Sequence, residues 1–436
     1  MSTPASTPPT PFPPIDGQRS GSRGQEDELD AEDDPDAEDD PDAEDDQAGH
    51  GGLDASPFDH MSTWIELFYD LIFVAAILIF SSAVEHVHPS SGIAWIVLVF
   101  AASWWVWFTT TVCANRFHMA DLPHRILVLF QMLVIVLMAM EARVSVTGDS
   151  TYLALEYGVL LVTIASMYGR AARQPGTDRE FARRMAMLNA AAAVVFVVAA
   201  LLPEAGRLTL SAVGLAAVVI PSIVLLHRME AFSGEDERHI VDRMGAFTLI
   251  VCGESFVEVA ISVSSATIDS IDVVSLVFEF ILVFTVFTSY FEDIPAAGLD
   301  QRHFGWWAVL HLVAQTCIAG TAVGASKLID LTTGHRIPDI EILKLTVPLA
   351  VLYLALAGVG ACTRRRPIAP LAVARVVTAA AVVAVGVAAW WIPWIHLAEA
   401  LPLFTAVAMA HAVVILRLRD RTTVLAAGAL SRLEPG

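Results

Sequence analysis

From Trp64 onward the chain repeats one pattern: an apolar run of about twenty residues, then a short polar break. Twelve such runs are predicted as helices, near 65–84, 92–113, 124–142, 150–169, 184–202, 209–227, 243–264, 271–291, 304–328, 343–362, 368–391 and 397–417. At 1.5 Å rise per residue, each is long enough to cross about 30 Å of hydrocarbon. The expected fold is all-α, a polytopic membrane bundle of about 12 transmembrane helices. Residues 1–60 break the pattern, with a Pro/Ser/Thr-rich start and three copies of Asp-Ala-Glu-Asp-Asp from Asp30 to Asp46. A segment so charged and so poor in apolar residues has nothing to bury, so it is predicted to be a disordered, solvated tail. The expected organisation is an acidic tail at 1–60, a membrane domain at 61–420 and a short C-terminal tail at 421–436.

Composition agrees. Of 436 residues, 55% are hydrophobic, and the mean hydropathy is +0.60. The first 50 residues hold sixteen acids and two arginines, so they carry −14 of the whole-chain −21. The remainder is only mildly acidic, which argues against a nucleic-acid partner and leaves the lipid bilayer as the expected one. Eighteen Lys and Arg flank the ends of the spans on one side and five those on the other. By the positive-inside rule, both termini face the cytoplasm of a cell-membrane protein. The N-terminus lacks the basic and apolar regions of a cleavable signal, so the first span is expected to direct insertion. Cys113, Cys252, Cys317 and Cys362 are scattered, without metal-type spacing or a disulfide framework. No phosphate loop, zinc helix or nucleophile elbow occurs. No metal and no cofactor is therefore expected.

Polar residues inside the apolar runs are the candidates for chemistry, because charges in hydrocarbon are costly and face a bundle interior or an aqueous cavity. Glu66 and Asp70 open the first span four residues apart, on one helix face. Arg243, Glu254 and Glu258 form one stripe of the seventh span, since eleven residues turn a helix back to within about 20°. Glu254 is placed near mid-membrane, where its charge needs a partner, water or a proton. Glu279 lies mid-way along span 8, which ends at Tyr290, and span 9 carries His311 and Gln315 on one face. The blander readings stand beside these: interfacial acids in span 1, a Glu that only ties two helices together, and His311 as a hydrogen-bonded structural residue. Trp104, Trp105 and Trp107, near the Asn115-Arg116 end of span 2, read first as an interfacial belt. Arg375, near the end of span 11, reads as a snorkelling side chain.

Several of these stretches resemble motifs of the bacterial low temperature requirement protein A (LtrA) family. Glu66-Leu67-Phe68-Tyr69-Asp70-Leu71 is similar to its opening Glu-Leu-Phe-Phe-Asp-Leu. Arg243, Gly245, Phe247, Thr248, Gly253, Glu254 and Ser255 match a second motif, with Asp242 in place of Glu and Cys252 in place of Leu. Tyr290-Phe291-Glu292 resembles a Tyr-Phe-Asp, His311-Leu312 a His-Leu-Pro that here lacks the proline, and Trp104-Trp105-Val106-Trp107 with Asn115 a Trp-Trp-x-Trp…Asn pattern. The resemblance covers most of residues 62–330. The family's name records a requirement for growth at low temperature, which is a phenotype and not a reaction.

Trp107-Phe108-Thr109-Thr110 against Val286-Phe287-Thr288-Ser289, and Gln131 against His311, recur at offsets of 179 and 180, which suggests two six-helix repeats of transporter type. Three functions fit. The first is a secondary transporter or ion-conducting protein for a small solute or ion of unknown identity. Glu254, Asp70, Glu66, Glu258 and Glu279 would form its proton or cation site, with Arg243 as counter-charge and His311, Gln315, Asn115 and Tyr290 as lining. The second is a membrane enzyme that protonates a lipid-like or isoprenoid substrate through a buried carboxylic acid. The third is a non-catalytic scaffold or sensor in which these charges only fix helix packing.

Overall fold

The structure is a computed structural model that describes residues 64–73, 75–77, 90–119, 121–145, 151–176, 178–229, 232–264, 270–292, 294, 298–330, 339–364, 369–391 and 397–430. The acidic tail lies outside them. The first span appears as helix at 64–73 and 75–77, here α1. It is followed by α2 (Ser90–Phe117), α3 (Leu122–Ser145), α4 (Thr151–Ala171), α5 (Arg179–Ala200), α6 (Glu204–His227), α7 (Gly234–Ser264), α8 (Ser270–Phe291), α9 (Phe304–Asp330), α10 (Asp339–Ala361), α11 (Ala369–Trp391) and α12 (Leu397–Leu430). The twelve predicted spans therefore fall on twelve helices. α12 runs past residue 420 to Leu430, so the expected C-terminal tail begins as helix.

Among the described residues, nine helices are long and apolar enough to cross a membrane. The others have identifiable reasons for missing that mark. α1 is described only in part, the apolar stretch of α8 is described over Leu276–Phe291, and α7 is interrupted by Asp242, Arg243 and Glu254. The chain is a multi-pass membrane protein. Helix surfaces follow the inverted logic of such proteins, in which lipid is as apolar as leucine and close packing and hydrogen bonds drive association. On α1, Leu67, Phe68 and Leu71 point outward, while Tyr69, Asp70 and Phe73 are buried.

α9 is the central element, packed against α2, α6, α7, α8, α10 and α12. Its contact with α10 depends on Gly324, where a Cβ would stand 2.6 Å from the Lys344 carbonyl oxygen. Before α9, Gly298 takes a left-handed backbone (φ +71°) that suits glycine. That turn lets the Leu299 N–H reach Glu237 Oε1 on α7 (3.1 Å), and Glu237 also pairs with Arg364 after α10. Arg116–Asp178, Arg170–Asp121 and Arg419–Glu292 make further ion pairs between elements.

Two expectations are overturned here. The tryptophans of α2 are not an interfacial belt: Trp104, Trp105 and Trp107 are 0–1% exposed. Trp104 stacks on Phe108 (centroids 5.1 Å apart) and Trp107 packs on Phe247 of α7 at 4.3 Å, so together they fill the space between α2, α7 and α9. Arg375 does not snorkel. It is fully buried and donates to the main-chain oxygens of Ser289 (3.0 Å) on α8 and Leu356 (3.3 Å) on α10. Main-chain carbonyls in the bundle interior stand in for the water that a snorkelling guanidinium would have sought.

Candidate functional site

The site is built on the first turns of α7. Ser233 Oγ accepts from the Asp236 N–H (3.1 Å), and Asp236 Oδ2 accepts from the Ser233 N–H (3.4 Å). This is a capping box with Asp in place of the usual Glu. Glu235, Asp236 and Glu237 then sit at the positive end of the helix dipole. Residues 236, 239 and 243 follow at spacings of three and four, so they share one face of the helix.

That face meets α1 and α2 through a continuous polar chain. Asn115 Nδ2 donates to the Asp236 carbonyl (3.0 Å), and Asn115 Oδ1 meets His239 Nδ1 (2.9 Å). His239 Nε2 faces Glu66 Oε2 at 3.2 Å. Arg243 contacts the same Glu66 oxygen at 3.4 Å through Nη1 and donates to Asp70 Oδ1 at 2.9 Å through Nη2. Trp107 Nε1 donates to Asp70 Oδ1 as well, at 2.7 Å. Burial deepens along the chain: the side chain of His239 is 41% exposed, Glu66 25%, Arg243 8% and Asp70 0%. Asp70 Oδ2 is buried and has no hydrogen-bond partner among the described residues. A buried polar atom left in that state is expensive, on the order of 1–3 kcal/mol and more for a charged group.

Beside this chain lies a cavity of about 30 Å³ lined by Glu66, Tyr69, Thr110, Thr111, His124 and Arg243, among others. A space of that size, whose wall is mostly apolar, has room for about one or two water molecules. On its far side Gln131 of α3 gathers four helices: Oε1 accepts from Tyr69 (3.0 Å) and Thr110 (3.2 Å), and Nε2 donates to Thr163 (2.7 Å) on α4.

A second polar cluster lies between α2, α7, α8 and α9. Trp104 Nε1 donates to Gln315 Oε1, and Gln315 Nε2 donates to Thr248 Oγ1 at 2.8 Å. His311 Nδ1 donates to the Trp307 carbonyl (2.8 Å), and its Nε2 accepts from the Tyr290 hydroxyl (3.0 Å). Both ring nitrogens are used, as a structural histidine requires. Gln131 and His311 each meet a tyrosine, Tyr69 from α1 and Tyr290 from α8, which the offset does not relate. The Thr110–Gln131 and Tyr290–His311 contacts, by contrast, are both displaced by the 180 seen in the sequence.

The carboxylates expected to form one site are distributed. Glu66, Asp70 and Arg243 come together, with Asn115 linked to them through His239. Glu254 is buried on α7, eleven residues beyond Arg243 and so about 16 Å further along the axis. Glu279 is fully buried on α8, beside Phe278, whose carbonyl accepts from Thr405 of α12. The Glu258 side chain lies outside the described residues. Two site residues were not anticipated, His239 and Trp107. His239 was legible as the residue one turn before Arg243. Trp107 in this role was not, because nothing in α2 alone shows that its indole faces a carboxylate on α1.

The family model of the bacterial low temperature requirement A protein (LtrA) matches residues 61–416. That match takes in all twelve helices up to the C-terminal part of α12. Neither a curated protein nor a solved structure matches the chain.

Proposed function

The chain belongs to the LtrA family, and from that premise we propose that it is a secondary transporter or ion-conducting protein whose Asp70–Arg243–Glu66 cluster handles a proton while a small solute or ion crosses. The observation that carries this reading is Asp70: wholly buried, held through Oδ1 by Arg243 and Trp107, with Oδ2 unpartnered among the described residues. A buried ion pair is a poor way to gain stability, because the desolvation of both charges offsets their attraction. A scaffold would be served as well by apolar packing. A carboxylate with one oxygen held by two donors and the other left with none among the described residues is suited to accept and release a proton. Glu254 and Glu279, further into the bundle, would extend the route.

The deciding measurement is proton-driven flux in proteoliposomes, with Asp70→Asn compared with the unmodified protein. Removing one partner of a buried pair costs about 3–5 kcal/mol, so the double variant Asp70→Asn with Arg243→Gln removes both charges and keeps the fold testable. We expect both variants to lose at least about tenfold in flux, with the double variant unfolding at a higher temperature than Asp70→Asn alone. Full flux in the double variant would remove Asp70 from the mechanism.

The Lys and Arg asymmetry supports a cell-membrane location with both termini cytoplasmic. A C-terminal tag should therefore resist external protease in intact cells, and digestion there would reverse the orientation.

A further inference from the structure

His239 belongs to none of the motifs that mark this site, yet its ring joins the outermost part of the polar chain to the buried carboxylates. Its hydrogen-bond geometry is over-determined. Asn115 uses Nδ2 to donate to the Asp236 carbonyl, which can only accept. The atom that Asn115 turns toward His239 is therefore Oδ1, an acceptor, and His239 Nδ1 must carry a hydrogen to make the 2.9 Å contact. Nε2, at the other end of the ring, faces Glu66 Oε2 at 3.2 Å. A lone pair there would oppose a carboxylate oxygen, so the contact is attractive only with a proton between the two atoms.

Charge balance leads to the same place. Glu66 and Asp70 present two carboxylates to one guanidinium, Arg243, and a proton in the His239–Glu66 contact supplies the second positive charge. Other ionisable groups lie nearby, but the Nε2–Oε2 contact itself still requires a proton between the two atoms. His118, just after α2, pairs with Asp236 (3.2 Å), and His124 and Arg125 of α3 line the cavity beside Glu66. We propose that His239 and Glu66 hold one shared proton, and that this pair is the port through which protons reach Asp70. In transfer, the Nε2–H bond breaks as a Glu66 Oε2–H bond forms. That bond breaks in turn as an Asp70 Oδ2–H bond forms, and His239 Nε2 takes up another proton from the aqueous side. The assignment rests on the transport reading for its role but not for the proton itself.

The test uses the full chain in lipid vesicles with its thirteen histidines labelled with ¹⁵N, and the His239 ring is identified as the signal lost in His239→Gln. At neutral pH that ring should show both nitrogens protonated. In Glu66→Gln it should become neutral with the hydrogen on Nδ1, because Asn115 still requires a donor and the new amide can donate to Nε2. A neutral ring in the unmodified protein would overturn the proposal, as would a doubly protonated ring that persists in Glu66→Gln. Proton flux is read on the same vesicles, with His239→Gln expected to lower it about tenfold at an unchanged unfolding temperature. Unchanged flux in His239→Gln would remove the port role. The expected ring signals in an unmodified protein that conducts no protons would leave the shared proton standing and sink the transport reading alone.

Discussion

At the scale of the residue, Gln131 shows why polar side chains in this bundle are few and placed with care. It offers one acceptor to Tyr69 and Thr110 and one donor to Thr163, so a single amide ties α1, α2 and α4 to α3. Gln131→Leu keeps the approximate volume and removes the acceptor of the Tyr69 and Thr110 hydroxyls, while the Thr163 hydroxyl keeps its bond to the Leu160 carbonyl. Unsatisfied buried groups cost about 1–3 kcal/mol. The unfolding temperature in detergent should drop by several degrees, and no change would mean that these hydroxyls find other partners. Residues such as Asp70 and Arg243 were legible as site residues because charge inside an apolar run has few explanations. Gln131 and Trp107 were harder to assign a role. An amide or an indole is tolerated in many surroundings, and its partner is chosen by the packing of other helices.

At the scale of the element, α1 and α7 were readable as helices with a functional face, and the structure puts those faces together. What periodicity did not give was depth. Arg243 and Glu254 share a stripe, but about 16 Å of helix separates them, so a common stripe did not mean a common site. α2 was misread for a related reason. Tryptophans near a helix end suit an interface and a core equally, and only the neighbouring α7 and α9 decide between them. Contacts between elements also rest on absent atoms. Gly324→Ala would press a methyl group against the Lys344 main chain, where neither helix has a side chain to move aside. Overpacking of this kind costs about 1–3 kcal/mol. The substitution should lower the unfolding temperature while Gly253→Ala, which has open space at its Cβ, leaves it nearly unchanged. Equal losses at both positions would mean that close approach of α9 and α10 is not what Gly324 secures.

At the scale of the whole molecule, the twelve-helix architecture followed from run length and composition alone, because a bilayer admits few alternatives to helices. The order of helices in space did not follow, since no apolar run states which neighbour it will meet. The central place of α9 is a property of the assembled bundle. So is the convergence of α1, α2 and α7 on one buried carboxylate.

That convergence has an optical consequence. The Trp107 indole is hydrogen-bonded to Asp70, fully buried, and packed at a tilt against the Phe247 ring. An indole is a chromophore whose emission responds to the charge at its N–H. Occupancy of the carboxylate is thus written into the protein's own ultraviolet spectrum, as the difference between the unmodified chain and Trp107→Phe. The bundle carries its own indicator dye at a buried position that has no room for an added label.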